Sequence, residues 1–373
     1  MSSSVPTWTR VRSLWTHPTA PDCVHVIDQR ALPHQLEIVE LATADDAARA
    51  ISDMVVRGAP LIGVVAAWGL ALAARRAAPG SAAGAVEEAA ARLCATRPTA
   101  RDLFVAVERQ LAVSAGCRDD AGRREALVRS ASAFTEESAA ACRRIGLHGL
   151  SIVEAAARRS PARPLRIMTH CNAGRLGCVE LGTATAPIYL ARARGLDVFV
   201  WVSETRPRNQ GALTCWELAE AGVPHALVVD SAAGHWLQRG EVDLVLVGAD
   251  RITRRGDAAN KIGTLLKALA ARDAGVPFHV AAPWTTFDLS IEDGVAGIPI
   301  EERAEAEVRF VEGTLNGGRA RVAVHPLSTP IRNPAFDVTP ARLITGLITD
   351  RGCCAAAEGE ILRLAREESG WPS

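Results

Sequence analysis

Apolar and polar positions follow two different rules along this chain. From residue 45 to about 157, apolar residues recur every three to four positions in Ala/Arg-rich text such as AARAISDMVV and AAWGLALAARRAA, which predicts helices. Ahead of them, residues 24–41 (VHVIDQRALPHQLEIVEL) predict two strands around a turn at Leu32-Pro33-His34. Beyond residue 165 the rule changes. Short apolar runs at 165–170, 196–204, 225–230, 242–250 and 276–283 alternate with amphipathic segments such as LTCWELAEAG and KIGTLLKALAARDAG. Strand–helix alternation of this kind predicts an α/β fold, a parallel, doubly wound sheet with helices on both faces. The stretch RRSPARP (158–164), with two prolines, predicts the linker, so the domains divide as 1–157 and 158–373. Residues 313–330 carry Gly and Pro and predict a loop excursion with a short strand. No repeat with a period of roughly 20–50 residues is visible.

Composition narrows the class. The 373 residues are 48% hydrophobic, enough for a sizeable core. Lys+Arg and Asp+Glu balance at 42 each, which argues against nucleic acid as the main partner. No run of ~18 uncharged apolar residues predicts a membrane span, and the N-terminus has no apolar signal-peptide core. The nine cysteines are scattered, without a C-x-x-C pair or Cys/His metal spacing. A reduced, cytoplasmic enzyme without a metal fits this usage.

Candidate chemistry gathers where strands end, since open parallel sheets bind ligands beyond their carboxyl ends. Cys171 follows LRIMTH, Asp250 follows VDLVLVGA, and Glu204 follows LDVFVWVS. Each has an ordinary reading too: a packed thiol for Cys171, a helix N-cap for Asp250. Phosphate-binding signals accompany them. Arg57-Gly58-Ala59 precede Pro60, a residue favoured in a first helical turn, so their amides would sit at a helix N-terminus beside a guanidinium. Asn260-Lys261 read as the opening of another helix, and Arg97 as a third cation before a proline. No G-x-G-x-x-G opens a helix after any of these strands, which speaks against a dinucleotide enzyme.

The segments RGAPLIG, TRPTA, THCNAG, ETRPRNQG, VVDSAAGH, VGADRI, GDAANKIGT, APWTTFDLSI, GIPIEER and NPAFDVTP occur in this order between about residues 25 and 352. Together they resemble the methylthioribose-1-phosphate isomerase family, which shares its fold with regulatory subunits of the translation-initiation guanine-nucleotide exchange factor and with ribose-1,5-bisphosphate isomerases. The resemblance implies a mostly helical N-terminal domain with a small sheet, a Rossmann-like C-terminal domain and a homodimer. It implies Cys171 and Asp250 as a catalytic pair and Arg57, Gly58, Ala59, Arg97, Gln210, Asn260 and Lys261 as substrate-binding residues. For Glu204 it implies a structural ion pair with an arginine. A non-catalytic subunit would predict loss of the thiol or the carboxylate, and both are present.

The implied reaction is an aldose–ketose isomerisation of a small sugar phosphate, which requires neither metal nor nucleotide cofactor. The anomeric phosphate locks the furanose, so a proton donor must open the ring. Asp250 serves if apolar surroundings keep it protonated. Cys171 would act as a thiolate base at C2, favoured by a following helix, or would stabilise charge during a hydride shift from C2 to C1. The family pattern is departed from at Leu181, Asn209 and Trp284, in a shorter ALTCWEL stretch and in a longer 313–330 segment. Several of these fall by the predicted rim. A 5-deoxyribose-1-phosphate isomerase, or an enzyme taking both substrates, is therefore the alternative, ahead of a ribose-1,5-bisphosphate isomerase.

Overall fold

The computed structural model describes residues 12–17, 20–159 and 163–366. A three-stranded antiparallel sheet opens the chain: β1 (Leu14–His17), β2 (Ala20–Ile27) and β3 (Ile38–Leu41). Five helices follow: α1 (Ala44–Ser52), α2 (Ala59–Arg76), α3 (Ala82–Cys94), α4 (Arg101–Ala115) and α5 (Asp120–Arg159). Local chemistry sets their starts. Thr43 and Asp46 form a reciprocal capping box on α1. Gly58 caps α2 at φ 91°, with Pro60 in the first turn.

Helix α2 is buried at every position from Ala59 to Ala74, and α1, α3, α4 and α5 pack around it. It is long and apolar enough to cross a membrane by length and composition. Here that apolar surface is spent on the protein's own core, and only Arg75 and Arg76 at its end reach outward.

Helix α5 joins two cores. Leu127, Ala131, Phe134 and Ala139 belong to the α2 cluster, whereas Ile145, Leu150, Val153 and Ala156 pack under the large sheet. The helix runs through Arg159, and residues 160–162 of the expected RRSPARP linker lie outside the described residues.

The second half alternates strand and helix: β4 (Leu165–His170), α6 (Ala186–Ala193), β5 (Val198–Ser203), α7 (Gly211–Glu220), β6 (His225–Val228), α8 (Ala232–Gln238) and β7 (Leu244–Val247). Next come β8 (Arg251–Thr253), β9 (Ala258–Lys261), α9 (Thr264–Asp273), β10 (Phe278–Ala281) and β11 (Phe287–Asp288). The chain continues with β12 (Phe310–Leu315), β13 (Gly318–Ala323), β14 (Phe336–Thr339), β15 (Gly346–Thr349) and β16 (Gly352–Cys354), before a C-terminal helix, Glu358–Arg366.

The seven-stranded sheet runs β16-β15-β10-β7-β4-β5-β6. All its pairs are parallel except β15–β16 at one edge. From β4 the chain steps outward to β5 and β6, then returns to β7 on the other side of β4. The order therefore reverses between β4 and β7, and a crevice forms at their carboxyl ends.

Two expectations are corrected here. Asn260 and Lys261 do not open a helix. They end β9, a buried strand antiparallel to β14 in a small sheet ordered β11-β8-β9-β14. Helix α9 starts only after Gly263, whose φ of 98° breaks the strand. Residues 313–330 hold more than a short strand. β12 and β13 form a six-residue-per-strand hairpin turning at Asn316-Gly317, both at positive φ.

Candidate active site

The reversal places β4 and β7 side by side, so the residues that follow them face each other. One cavity of about 50 Å³ at this point is lined by Arg57, Gly58, Ala59, Arg97, Cys171, Gln210, Asp250, Asn260 and Lys261, every site residue expected from the sequence. Met54, His170, Thr183 and Phe336 complete much of its wall. A larger cavity of about 340 Å³ shares Met54, Arg57 and Gln210 with it and reaches the β12–β13 hairpin.

The thiol sits on unusual backbone. Cys171 has φ 63°, a left-handed conformation that side-chain-bearing residues rarely adopt. Hydrogen bonds hold it there. The Cys171 amide donates to Thr205 Oγ1 at 2.8 Å, and Thr214 Oγ1 donates to the Cys171 carbonyl at 2.7 Å. Thr205 is itself at φ 66°. No full helix follows Cys171, contrary to expectation. The chain enters a 3-10 turn, Arg175–Gly177, too short to build a helix dipole. Burial pushes the Cys171 thiol up, opposed by the nearby charges of Arg57 and Lys261.

Arg57 works on the loop as well as on the cavity. Its Nε donates to Gln29 Oε1 at 2.9 Å and its Nη1 to the Asn172 carbonyl at 2.7 Å, and Nη2 donates to Asn172 Oδ1. Two guanidinium hydrogens remain for a ligand. Gly58 lets the start of α2 come this close, because a Cβ there would lie 2.4 Å from the Gly177 backbone.

Across the cavity, burial pushes the Asp250 carboxyl above its ordinary range, although Lys261, Arg97 and Arg57 pull the other way. Burial lowers the Lys261 ammonium, which sits 4.2 Å from the centre of the Phe336 ring. Arg97 is gripped by Glu301 through Nε at 3.0–3.1 Å, while its buried Nη1 has no partner. Gln210 likewise leaves a buried Oε1 without a partner. Asn260 Nδ2 donates to Thr264 Oγ1 at 3.0 Å. An open cationic donor and an open amide acceptor in one cavity suit a ligand that carries both an anionic group and hydroxyls.

Some expectations fail. Glu204 makes no arginine ion pair among the described residues; its charge acts instead on buried Lys267. Of the departures from the family pattern, Leu181 and Trp284 line neither cavity, and Asn209 lines only the larger one. Trp284 stacks on Phe287 at 4.5 Å, with Arg351 over its ring. No sequence signal singles out His170, Thr205 or Thr214, whose contacts join the end of β4, the loop after β5 and helix α7. Among the described residues, Cys23, His25 and Glu40 could together hold a metal ion, and none of them lines the cavity.

A model of the initiation factor 2 subunit family matches residues 55–356. A methylthioribose-1-phosphate isomerase of Acidiphilium cryptum is 53% identical over 353 residues, 94% of this chain and 94% of its own length. The chain belongs to the methylthioribose-1-phosphate isomerase family, within the initiation factor 2 subunit family. A second member, from Rhizobium meliloti, is 54% identical over 88% of this chain and 90% of its own. The family's fold is shared throughout. The crystal structure of 5-methylthioribose 1-phosphate isomerase from Pyrococcus horikoshii superposes with a TM-score of 0.83 at 35% identity, covering 99% of this chain and 100% of that one. Translation initiation factor eIF-2B subunit delta from A. fulgidus superposes at 0.75 and 35% identity, over 95% of this chain and 99% of its own.

Proposed function

We propose that this protein converts 5-methylthioribose 1-phosphate to 5-methylthioribulose 1-phosphate, a step of methionine salvage, with Cys171 and Asp250 as its catalytic pair. The observation that carries the reading is the cavity at the β4/β7 reversal, which joins a buried thiol, a carboxyl raised by burial and an unpaired cationic donor, Arg97 Nη1. Relatives of that name at 50–54% identity support the substrate.

In this reading the 1-phosphate lies between Arg57, Arg97, Lys261 and the Gly58-Ala59 amides at the start of α2. Gln210 accepts a hydrogen bond from a sugar hydroxyl through its open Oε1. Asp250, protonated, gives its proton to the ring oxygen as the C1–O4 bond breaks, leaving positive charge at C1. The hydrogen on C2 then moves with its electron pair to C1, and the 2-hydroxyl proton returns to Asp250 as C2 becomes the ketone. Cys171 lies against the carbon pair as a polarisable sulfur that stabilises the passing positive charge. Burial of its thiol favours this hydride route over removal of a C2 proton. The same reading takes the enzyme as a cytoplasmic homodimer of two-domain protomers, 1–157 and 158–373, needing no cofactor.

NMR of the purified protein with methylthioribose 1-phosphate, 5-deoxyribose 1-phosphate and ribose 1,5-bisphosphate tests this directly. A 2-ketose from the first substrate, absent with Cys171→Ala, is the expected result. Preference for the deoxy sugar would move the assignment to the alternative. No ketose from any of the three would favour a regulatory, non-catalytic protein.

A further inference from the structure

The loop that carries Cys171 rests on a carboxylate that the reaction does not use. Glu217 lies on α7 and is 2% exposed. Its Oε1 accepts from Asn172 Nδ2 at 3.1 Å and from the Leu176 amide at 3.0 Å. Its Oε2 accepts from the Arg175 amide at 3.1 Å and from the Tyr189 hydroxyl at 3.3 Å. One carboxylate thus takes four donors from both ends of the segment 172–176 and from α6. Gly174, at the crest of that segment, makes the approach possible: a Cβ there would stand 1.8 Å from Glu217 Oε2.

One turn earlier on the same helix, Thr214 bonds the Cys171 carbonyl and accepts from Asn172 Nδ2 at 3.1 Å. At the N-cap of α7, Gln210 faces the cavity. Helix α7 therefore holds both sides of the site. We infer that Glu217 is a positioning residue for Cys171, acting through Asn172 and the 175–176 turn, and that it must be a carboxylate to do so. The inference rests on the isomerase reading for its effect on rate, but its effect on the loop does not.

The need for a carboxylate follows from the donors. Asn172 Nδ2 and the Leu176 and Arg175 amides can only donate. A glutamine in the same place turns one acceptor oxygen into an NH2 group. Either orientation of the amide sets a donor against a backbone N–H that then has no partner. Asn172 also carries two hydrogen bonds from Arg57, so a shift of Asn172 moves Arg57 and the left-handed Cys171 together.

The test compares wild type, Glu217→Gln and Tyr189→Phe as full-length proteins. Iodoacetamide labelling of Cys171 is followed by peptide mass spectrometry across pH, and kcat and KM are measured on methylthioribose 1-phosphate. Glu217→Gln is expected to lower kcat at least 30-fold, to raise KM by less than tenfold through the displaced Arg57, and to change the Cys171 labelling rate at least fivefold with a shifted pH profile. Tyr189→Phe, which removes one donor and creates no clash, is expected to show a three- to tenfold fall in kcat. A folded Glu217→Gln with kcat within threefold of wild type, or with an unaltered Cys171 labelling profile, would overturn the inference. If Glu217→Gln does not fold, Tyr189→Phe decides: kcat within twofold and unchanged labelling overturn it. Wild type without turnover would defeat the isomerase reading and leave the labelling comparison to judge the role of Glu217.

Discussion

Two groups of buried and half-buried charge adjoin the Cys171 loop, and they are built on opposite plans. The first is Lys267 with Asp230, Asp337 and His170. Lys267 lies 3.7 Å from Asp230 and 3.5 Å from the Gly263 carbonyl. Asp230 accepts from Ser203 and from the Thr205 and Arg206 amides at 2.8 and 2.7 Å. Asp337 accepts from the Gly263 and Leu265 amides. Burial holds His170 neutral, with its pKa lowered to about 3, and its Nε2–H donates to the Ile262 carbonyl at 2.8 Å. This group is satisfied from within. The second group lines the cavity, where Arg97 Nη1 and Gln210 Oε1 are buried without partners. Saturated charge supports a scaffold, whereas charge left open awaits a ligand.

The comparison breaks most decisively at the chemistry. Asp250→Asn and Cys171→Ser should each lower turnover by about 10²–10⁴-fold, with calorimetric substrate affinity within a few-fold. Retained turnover in either would remove that residue from the proposed catalytic pair. In the saturated group the effect should fall on stability. Lys267→Met leaves half-buried Asp230 without its cation and should cost about 2–3 kcal/mol in urea unfolding. A change below ~1 kcal/mol would show that the amides alone satisfy Asp230.

A third test uses Asp102, a buried carboxyl raised to about 6 by burial, against hydrogen bonds from Thr285 and Thr286 at 2.6 and 2.9 Å. A raised carboxyl favours folding while it is protonated in the native state. That contribution is full below the unfolded value near 4 and is lost as pH rises through about 6. The stability of wild type relative to Asp102→Asn should therefore fall by about 2 kcal/mol between pH 4 and pH 7. A pH-independent difference would contradict it. Smallest is Arg97→Met, which removes the cavity's open Nη1 donor together with the Glu301 ion pair. It should weaken substrate binding by about 10–100-fold, and unchanged affinity would refute its phosphate role.

Much of this was legible in the sequence where one strand or one turn carried the signal. The runs ending at His170 and near Asp250 are short, apolar and bounded, and the structure places strands there. The start of α2 at Gly58-Ala59-Pro60 followed from the preference of proline for a first helical turn. Gln210 entered only through the family resemblance, because an exposed glutamine and one at a buried helix N-cap look alike in sequence. Lys261 was given to the wrong element, since AANK has no alternation and its pairing partner lies some 75 residues on, at Phe336–Thr339. The hairpin at Asn316-Gly317 carried a strong two-residue turn signal that the surrounding Gly and Pro obscured. Glu217 could not be found from its neighbours in the chain, because its four donors come from residues 28–45 positions away.

The most direct test of the central claim follows the C2 hydrogen. Methylthioribose 1-phosphate deuterated at C2 is incubated with wild-type enzyme in ordinary water, and the product is read by NMR. The account predicts 5-methylthioribulose 1-phosphate with deuterium retained at C1. Loss of the deuterium to solvent would contradict the hydride route, and absence of any ketose would contradict the isomerase.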